Sequence, residues 1–329
     1  MTSPADTSSD SNMSDADTTA VSVVLQGFGG ADALSVERTP IPQPRDDEVL
    51  VRVRAASVNP VDYKIAQGEF PPVGEDDLPK IMGRDLAGTV EAVGTRAHYM
   101  VRHGDRVMAH IGFDRGAQSE YVVAKATEFV GLPEGVSFVD AAGAGLAAMT
   151  AWQGLFDHGG LDAGQTVLIH GGAGGVGHLA VQLAKWKGAT VIATASSGDL
   201  DFVRSLGADT VVDYKADRFE DVANDVDVVF DLIGGETGER SLAVLREGGI
   251  LVSTLQPPAD DAKQGRNVRI APRYMAEPNA AQLGQIADLM AAGTVKVTVA
   301  ETFPIVRAAD AYRDQESGHP RGKIVLTLD

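Results

Sequence analysis

Cysteine is absent from all 329 residues. Disulfides, thiol nucleophiles, iron–sulfur clusters and thiolate-ligated zinc are therefore excluded. No run of the chain approaches the roughly 20 consecutive apolar residues that cross a bilayer. The opening residues show no basic patch followed by an apolar stretch, so no secretory signal is expected and cytoplasm is the default location. Lysine is scarce. Nine Lys stand beside 19 Arg, and 46 acidic residues outnumber these 28 basic ones, for a formal charge of −18. A surface this negative repels phosphate backbones and anionic lipid, which argues against nucleic acid and membrane as partners. Abundant Asp and Glu with few Lys fit a halophilic protein whose self-repulsion is screened by concentrated salt. A merely acidic protein fits equally well.

Hydrophobic residues at 44% and charged residues at 22% give an ordinary globular balance, and the length suits two domains of about 150 residues. Residues 1–20 hold four Asp and no Lys or Arg. They bury too little apolar surface to offset chain ordering, so a disordered acidic tail is expected there. Residues 21–140 read as strand-rich, with period-two alternation at 48–55 (EVLVRVRA), 88–94 and 104–110. From 141 the texture changes. An Ala-rich helix over 141–156 precedes apolar strands at 166–170, 190–194, 210–213, 227–231 and 249–253, with helices at 175–187 and 200–206 between them. Strands apolar throughout and spaced by helices predict an α/β fold with a doubly wound parallel sheet. The remainder predicts a helix at 280–292 and strands at 295–299 and 323–328.

The strongest local signal is TVLIHGGAGGVG (166–177), running into HLAVQLAKWKG. Gly172, Gly174 and Gly177 satisfy G-x-G-x-x-G between a strand and a helix. The first glycine permits the tight turn, the second lets backbone approach a pyrophosphate, and the third lets helix pack on strand. With Ala173, Gly175 and Val176 they form a dinucleotide cradle at a helix N-terminus. An Asp or Glu at the end of the second strand would hold the ribose of NAD. Here that strand ends Thr194-Ala195-Ser196-Ser197, which favours the 2′-phosphate of NADPH over NADH. Asp199 opposes this, with Arg204, Lys215 and Arg321 as compensating cations.

In order along the chain, SVNPVDYKIAQG (57–68), GRDLAGTVEAVG (83–94), GDRV (104–107), AMTAWQGL (148–155), GGAGGVG (171–177), RSLGAD (204–209) and GKIVL (322–326) resemble the medium-chain dehydrogenase/reductase superfamily. Within it they resemble the zinc-independent quinone oxidoreductase (zeta-crystallin-like) and enone reductase branch. The resemblance implies a GroES-like, mostly β domain from 21–140 and 275–329, with a Rossmann domain inserted at 141–274. Zinc-dependent relatives carry a cysteine before the first loop and a Gly-His-Glu motif. This chain has Ser57-Val58-Asn59-Pro60 and Gly83-Arg84-Asp85 instead, so no metal is expected. Its seven histidines show no ligand spacing and read as surface or internally satisfied residues.

Without a Lewis acid, the chemistry that remains is hydride donation to an electron-poor acceptor, a quinone or an α,β-unsaturated carbonyl. The resemblance places Asn59 and Tyr63 at the catalytic cleft, with Tyr63 a proton or hydrogen-bond donor; a turn at Asn59-Pro60 and core packing of Tyr63 are the plain alternatives. It places Lys64 and Thr150 at the nicotinamide end, against a solvated lysine and a threonine bonded to its own helix. Thr194, Ser196, Ser197, Ile233, Gly234 and Leu255 are expected to line the cofactor, Tyr214 to stack on adenine or merely pack at a helix edge, and His319, Arg321 and Lys323 to close over it. Phe70, Phe113, Trp152 and Tyr274 are read first as core packing. A non-catalytic dinucleotide-binding role is the competing class. The family implies either a homodimer, with the segment NVRIA (267–271) as its edge, or a monomer as among similar enone reductases.

Overall fold

The structure, a computed structural model, describes residues 18–318 and 320–328. Strand β1 (Thr19–Leu25) pairs along its whole length with β2 (Leu34–Pro40). Thr19 and Ala20, inside the expected tail, thus belong to a strand, because Ala20 is buried in the ladder. The tail expected over residues 1–17 lies outside the described residues.

β3 (Glu48–Val58) outruns its alternating stretch, since Ala55, Ala56 and Val58 are covered on both faces. Helix α1 (Pro60–Gln67) follows, with Asn59 at its N-terminal cap. Pro60 opens it, Asp62 accepts the Asn59 N–H at 2.8 Å, and Gly68 at φ +78° ends it. Then come β4 (Lys80–Ile81), β5 (Asp85–Val93), β6 (Arg106–His110), β7 (Tyr121–Lys125) and β8 (Phe129–Gly131).

Helix α2 (Phe138–Trp152), capped by Ser137, straddles the expected domain boundary at 140 and widens into a π-helical turn over Gln153–His158. Beyond it lie β9 (Thr166–His170), α3 (Gly177–Lys187), β10 (Thr190–Ala195), α4 (Leu200–Ser205), β11 (Thr210–Asp213), β12 (Val226–Asp231), α5 (Gly235–Ser241), β13 (Leu245–Ser253) and β14 (Arg269–Ile270). These strands form a six-stranded parallel sheet ordered β11-β10-β9-β12-β13-β14. The order reverses on either side of β9, which opens a crevice at the strands' C-terminal ends. The glycine loop stands at that reversal.

Helix α6 (Ala280–Ala291), β15 (Val299–Pro304), α7 (Ala308–Ser317) and β16 (Lys323–Thr327) return the chain to the first sheet. That sheet is ordered β15-β16-β3-β5-β6-β8, with β7 also on β3. The strand expected at 295–299 starts instead at Val299. Val295 and Val297 pack into the core under the parallel sheet, and the register Val299↔Lys323 to Pro304↔Thr327 selects the later segment. The alanines of α2 let it lie against β3, β5 and β6 on one side and α3 on the other. α2 is therefore the seam.

Candidate active site

Between β9 and α3 the left-handed residue of the turn is Gly171, at φ +77°, one position ahead of the first motif glycine. A Cβ on Gly177 would lie 2.0 Å from the Gly171 carbonyl oxygen, so helix and turn touch backbone to backbone. At Gly174 a Cβ would meet, among the described residues, only that carbonyl, at 3.5 Å. The N–H groups of Ala173, Gly175 and Val176 donate to no acceptor among the described residues. An open glycine face with free N–H donors at a helix start fits a pyrophosphate.

Two buried histidines hold this loop from below. His178 donates Nδ1–H to the Gly174 carbonyl at 2.9 Å, and its Nε2 accepts the Thr298 N–H at 3.1 Å. The Ser241 hydroxyl donates to the Thr237 carbonyl, so His170 Nε2–H donates to Ser241 Oγ at 2.8 Å. Thr194 Oγ1 then donates to His170 Nδ1 and accepts the Gly171 N–H, both at 3.2 Å. Burial pulls both imidazoles down to about 4.

At the end of β10, Ser196 Oγ donates to Asp199 at 2.6 Å and Ser197 Oγ to Asp213 at 2.5 Å. Arg321 reaches across from the other domain, placing Nε 2.7 Å and Nη2 2.6 Å from Asp199 Oδ1 and donating to the Gly198 carbonyl at 2.9 Å. The carboxylate that opposed a 2′-phosphate is thus neutralised by a cation. The Ser196 hydroxyl first, then Arg321, holds the Asp199 carboxyl below its ordinary value. Arg204 pairs instead with Asp201, and Lys215 lies by the Tyr214 ring. Tyr214 and Ile233 stand exposed on the crevice. Asp231 fixes the turn after β12 by accepting the N–H groups of Ile233 and Gly234, each at 2.9 Å, and Leu255 lies against Gly234.

On the far side of the glycine loop, the Gly322 N–H donates to the Ala173 carbonyl at 3.1 Å. The Lys323 stem runs past Gly175, and its buried ammonium donates to the Val58 carbonyl and to Asn59 Oδ1. Asn59 Nδ2 donates to Asp85 Oδ2 at 2.8 Å and to Ser57 Oγ at 3.0 Å. Both amide hydrogens of Asn59 are therefore committed within the protein. Asp85 is held at about 2 against its own burial by hydrogen bonds and nearby charge, from His110 first. Tyr63 and Lys64 are partly exposed on α1. The Tyr63 hydroxyl has no hydrogen-bond partner among the described residues, and burial, followed by Glu316 and Glu69, raises its pKa. Thr150 Oγ1 donates to the Leu146 carbonyl of its own helix at 2.7 Å, the plain alternative for that residue.

Phe70 and Phe113 stack at 4.9 Å, with the Arg84 guanidinium 3.6 Å over the Phe113 ring. Trp152 packs on Phe156 and Trp186, and Tyr274 donates to the Thr150 carbonyl at 2.7 Å. His319 lies outside the described residues. The sequence reading did not find Ser57, Asp85 and His110 as one polar cluster, nor Gly171 and His178 as supports of the loop.

Two family models match: "Alcohol dehydrogenase GroES-like domain" over residues 45–134 and "Zinc-binding dehydrogenase" over residues 206–326. The chain is 35% identical over 318 residues to an NADPH-dependent alkenal/one oxidoreductase, chloroplastic, of Arabidopsis thaliana, covering 92% of this chain and 78% of that protein. It is 31% identical to a quinone-oxidoreductase homolog, chloroplastic, of Spinacia oleracea, covering 91% and 95%. It superposes on the quinone oxidoreductase from Coxiella burnetii with a TM-score of 0.86 at 34% identity, covering 94% of this chain and all of that one. The chain belongs to the medium-chain dehydrogenase/reductase superfamily. Its place is in the quinone oxidoreductase and enone reductase branch of that superfamily. The parallel-sheet part is the Rossmann fold of these reductases and the first sheet their GroES-like part. Among the described residues of this superfamily member, no group of three or more His, Asp or Glu is placed to hold a metal ion. No helix among them is long and apolar enough to cross a membrane.

Proposed function

We propose that the chain is an NADPH-dependent reductase that delivers hydride to a quinone without zinc. One observation carries the metal-free reading. Asp85, in the Gly-Arg-Asp that stands where zinc relatives have Gly-His-Glu, spends its carboxylate on four donors: Ser57, Asn59, His110 and the Leu146 N–H. A carboxylate so occupied has no lone pair left for a cation.

NADPH supplies the hydride when bound. Its pyrophosphate suits Gly172 to Gly177, and its 2′-phosphate suits Ser196, Ser197 and Arg321. Tyr214, Ile233, Gly234 and Leu255 line the nucleotide, and Lys64, Thr150 and Lys323 stand toward the nicotinamide end. Replacing Arg321 by Ala is expected to raise KM for NADPH about tenfold, the worth of one charge-assisted contact, while KM for NADH moves less than about threefold. Equal changes for both cofactors would remove Arg321 from 2′-phosphate recognition.

With its amide committed, Asn59 acts by position, and the free hydroxyl of Tyr63 is the donor to the acceptor oxygen that gains charge. Tyr63→Phe is expected to lower kcat about a hundredfold with the NADPH dissociation constant unchanged. Full activity of that variant would pass the donor role to another group.

The second reading, reduction of an enone or 2-alkenal double bond at the same site, is favoured by the identity to the alkenal/one oxidoreductase. A non-catalytic binding role is the third. Loss of NADPH absorbance against quinones and 2-alkenals, with and without a zinc chelator, separates them. Turnover that ignores chelator supports the proposal, and the better acceptor chooses between the first two readings. Loss of activity with chelator overturns the metal-free site, and tight binding without turnover supports the third reading. A homodimer through the open edge of β14, a cytoplasmic location and tolerance of concentrated salt, for which the charge of −18 speaks, belong to the same proposal.

A further inference from the structure

We infer that Asp85 is a positioning residue that sets Asn59, in the β3–α1 segment, and Thr150, on the seam helix α2, in one geometry. Asp85 is fully buried at the start of β5. Its Oδ2 accepts Ser57 Oγ at 2.6 Å and Asn59 Nδ2 at 2.8 Å, both from the β3–α1 segment. Its Oδ1 accepts His110 Nδ1–H at 2.9 Å and the Leu146 backbone N–H at 2.6 Å. Leu146 belongs to α2, and the helix breaks to meet the carboxylate. Gly145 sits at φ −15° and ψ −105°, and a Cβ there would lie 2.3 Å from Asp85 Oδ1. One turn later, Thr150 Oγ1 bonds the Leu146 carbonyl. The two oxygens of one carboxylate therefore index the amide of Asn59 to the turn of α2 that carries Thr150.

Lys323 completes the arrangement. Its ammonium on Asn59 Oδ1 and the Asp85 carboxylate on Asn59 Nδ2 fix which way the amide points. A buried cation and a buried anion are thereby joined through one side chain, and removing either leaves the other uncompensated. A purely structural role would lower stability and leave the folded enzyme's kinetics intact. A positioning role shows in kcat, because misplacement by about an ångström costs up to about a hundredfold.

The test, which rests on the reductase reading for its kinetic arm, uses the full-length Asp85→Asn, Lys323→Met and double variants with NADPH and the best acceptor. Expected are a kcat at least about thirtyfold lower for Asp85→Asn, an NADPH dissociation constant within about fivefold of the wild type, and a double variant no worse than the worse single one. A folded Asp85→Asn with kcat within threefold of the wild type, or additive losses, overturns the inference. If Asp85→Asn does not fold, Ser57→Ala removes one of the four donors; a fall in kcat supports the inference and an unchanged kcat overturns it. If the wild type reduces no acceptor, the reductase reading fails, and fluorescence of bound NADPH reports the nicotinamide end. Loss of its enhancement in Asp85→Asn at unchanged affinity supports the inference. Retention overturns it.

Discussion

Replacing Gly174 by Val lowers NADPH affinity about a hundredfold while leaving the thermal midpoint within about 2 °C of the wild type. The affinity loss is roughly 2.8 kcal/mol, the worth of one or two charge-assisted hydrogen bonds. The fold is spared because, among the described residues, a Cβ at Gly174 meets only the Gly171 carbonyl, at an ordinary 3.5 Å, and substitutions at solvent-accessible positions without such conflicts stay near ±0.5 kcal/mol. What the valine removes is the open face beside the free N–H groups of Ala173, Gly175 and Val176. Gly177→Val is the contrast. Its Cβ would sit 2.0 Å from backbone oxygen, so that variant loses several kcal/mol of stability as well as affinity. Fluorescence titration with NADPH and thermal melts of both variants make the comparison. Binding by Gly174→Val within threefold of the wild type would mean that the phosphates do not lie on this face.

Acidification from pH 6.5 to 4 is expected to destabilise the fold through its two buried histidines. His178 has an acceptor on Nδ1–H and a donor, the Thr298 N–H, facing Nε2. Protonating Nε2 sets two donors against each other. Burial holds the folded imidazole at about 4, against 6.5 when unfolded. Between those values the unfolded chain binds more protons, so stability is complete above pH 6.5 and falls as the pH drops toward 4. The loss is roughly 3 kcal/mol at about 1.4 kcal/mol per pKa unit. His170 acts in the same direction.

Asp62 acts in the opposite one. Its Oδ1 has no hydrogen-bond partner among the described residues, and burial pushes its carboxyl up to about 7 from 3.8. Its contribution is therefore complete below pH 3.8 and lost as the pH rises through 7, so acid returns part of what the histidines lose. Urea unfolding at pH 7 and 4.5 separates these effects. His178→Gln should lose less stability on acidification than the wild type, and Asp62→Asn should lose more, by roughly 3 kcal/mol. Identical losses in all three proteins would show that these groups are not the source.

What the sequence made legible was local. The parallel strands read correctly because apolar runs between helices have one economical arrangement, and the glycine loop because its spacing answers to a single backbone path. The residues that hold the hydride end were harder. Asp85 read only as a missing metal ligand, since nothing in Gly83-Arg84-Asp85 shows that Ser57, His110 and Leu146 converge on it. Asn59 read as a cleft residue, yet its amide is consumed by Asp85 and by Lys323, a residue 264 positions later. Arg321 was named as a candidate cation, but its meeting with Asp199 depends on how two domains close, which no local pattern encodes. The strand placed at 295–299 slid to Val299–Pro304 because pairing with β16 chose a segment (VAETFP) that alternates less well than VKVTV before it.

The position of β16 has a consequence for how the protein is made. Its five residues, 323–327, lie between β15 and β3 in the interior of the first sheet, although they are the last strand along the chain. While the ribosome is still upstream of residue 323, β3 leaves Ala55–Val58 unpaired on the edge where β7 covers only Glu48–Arg52, and an exposed strand edge invites association with other chains. The same late segment brings Arg321 to Asp199 and Gly322 to the glycine loop. Closure of the sheet and completion of the dinucleotide cradle are thus one late event, and a nascent chain stalled before residue 320 should need a chaperone and retain no NADPH.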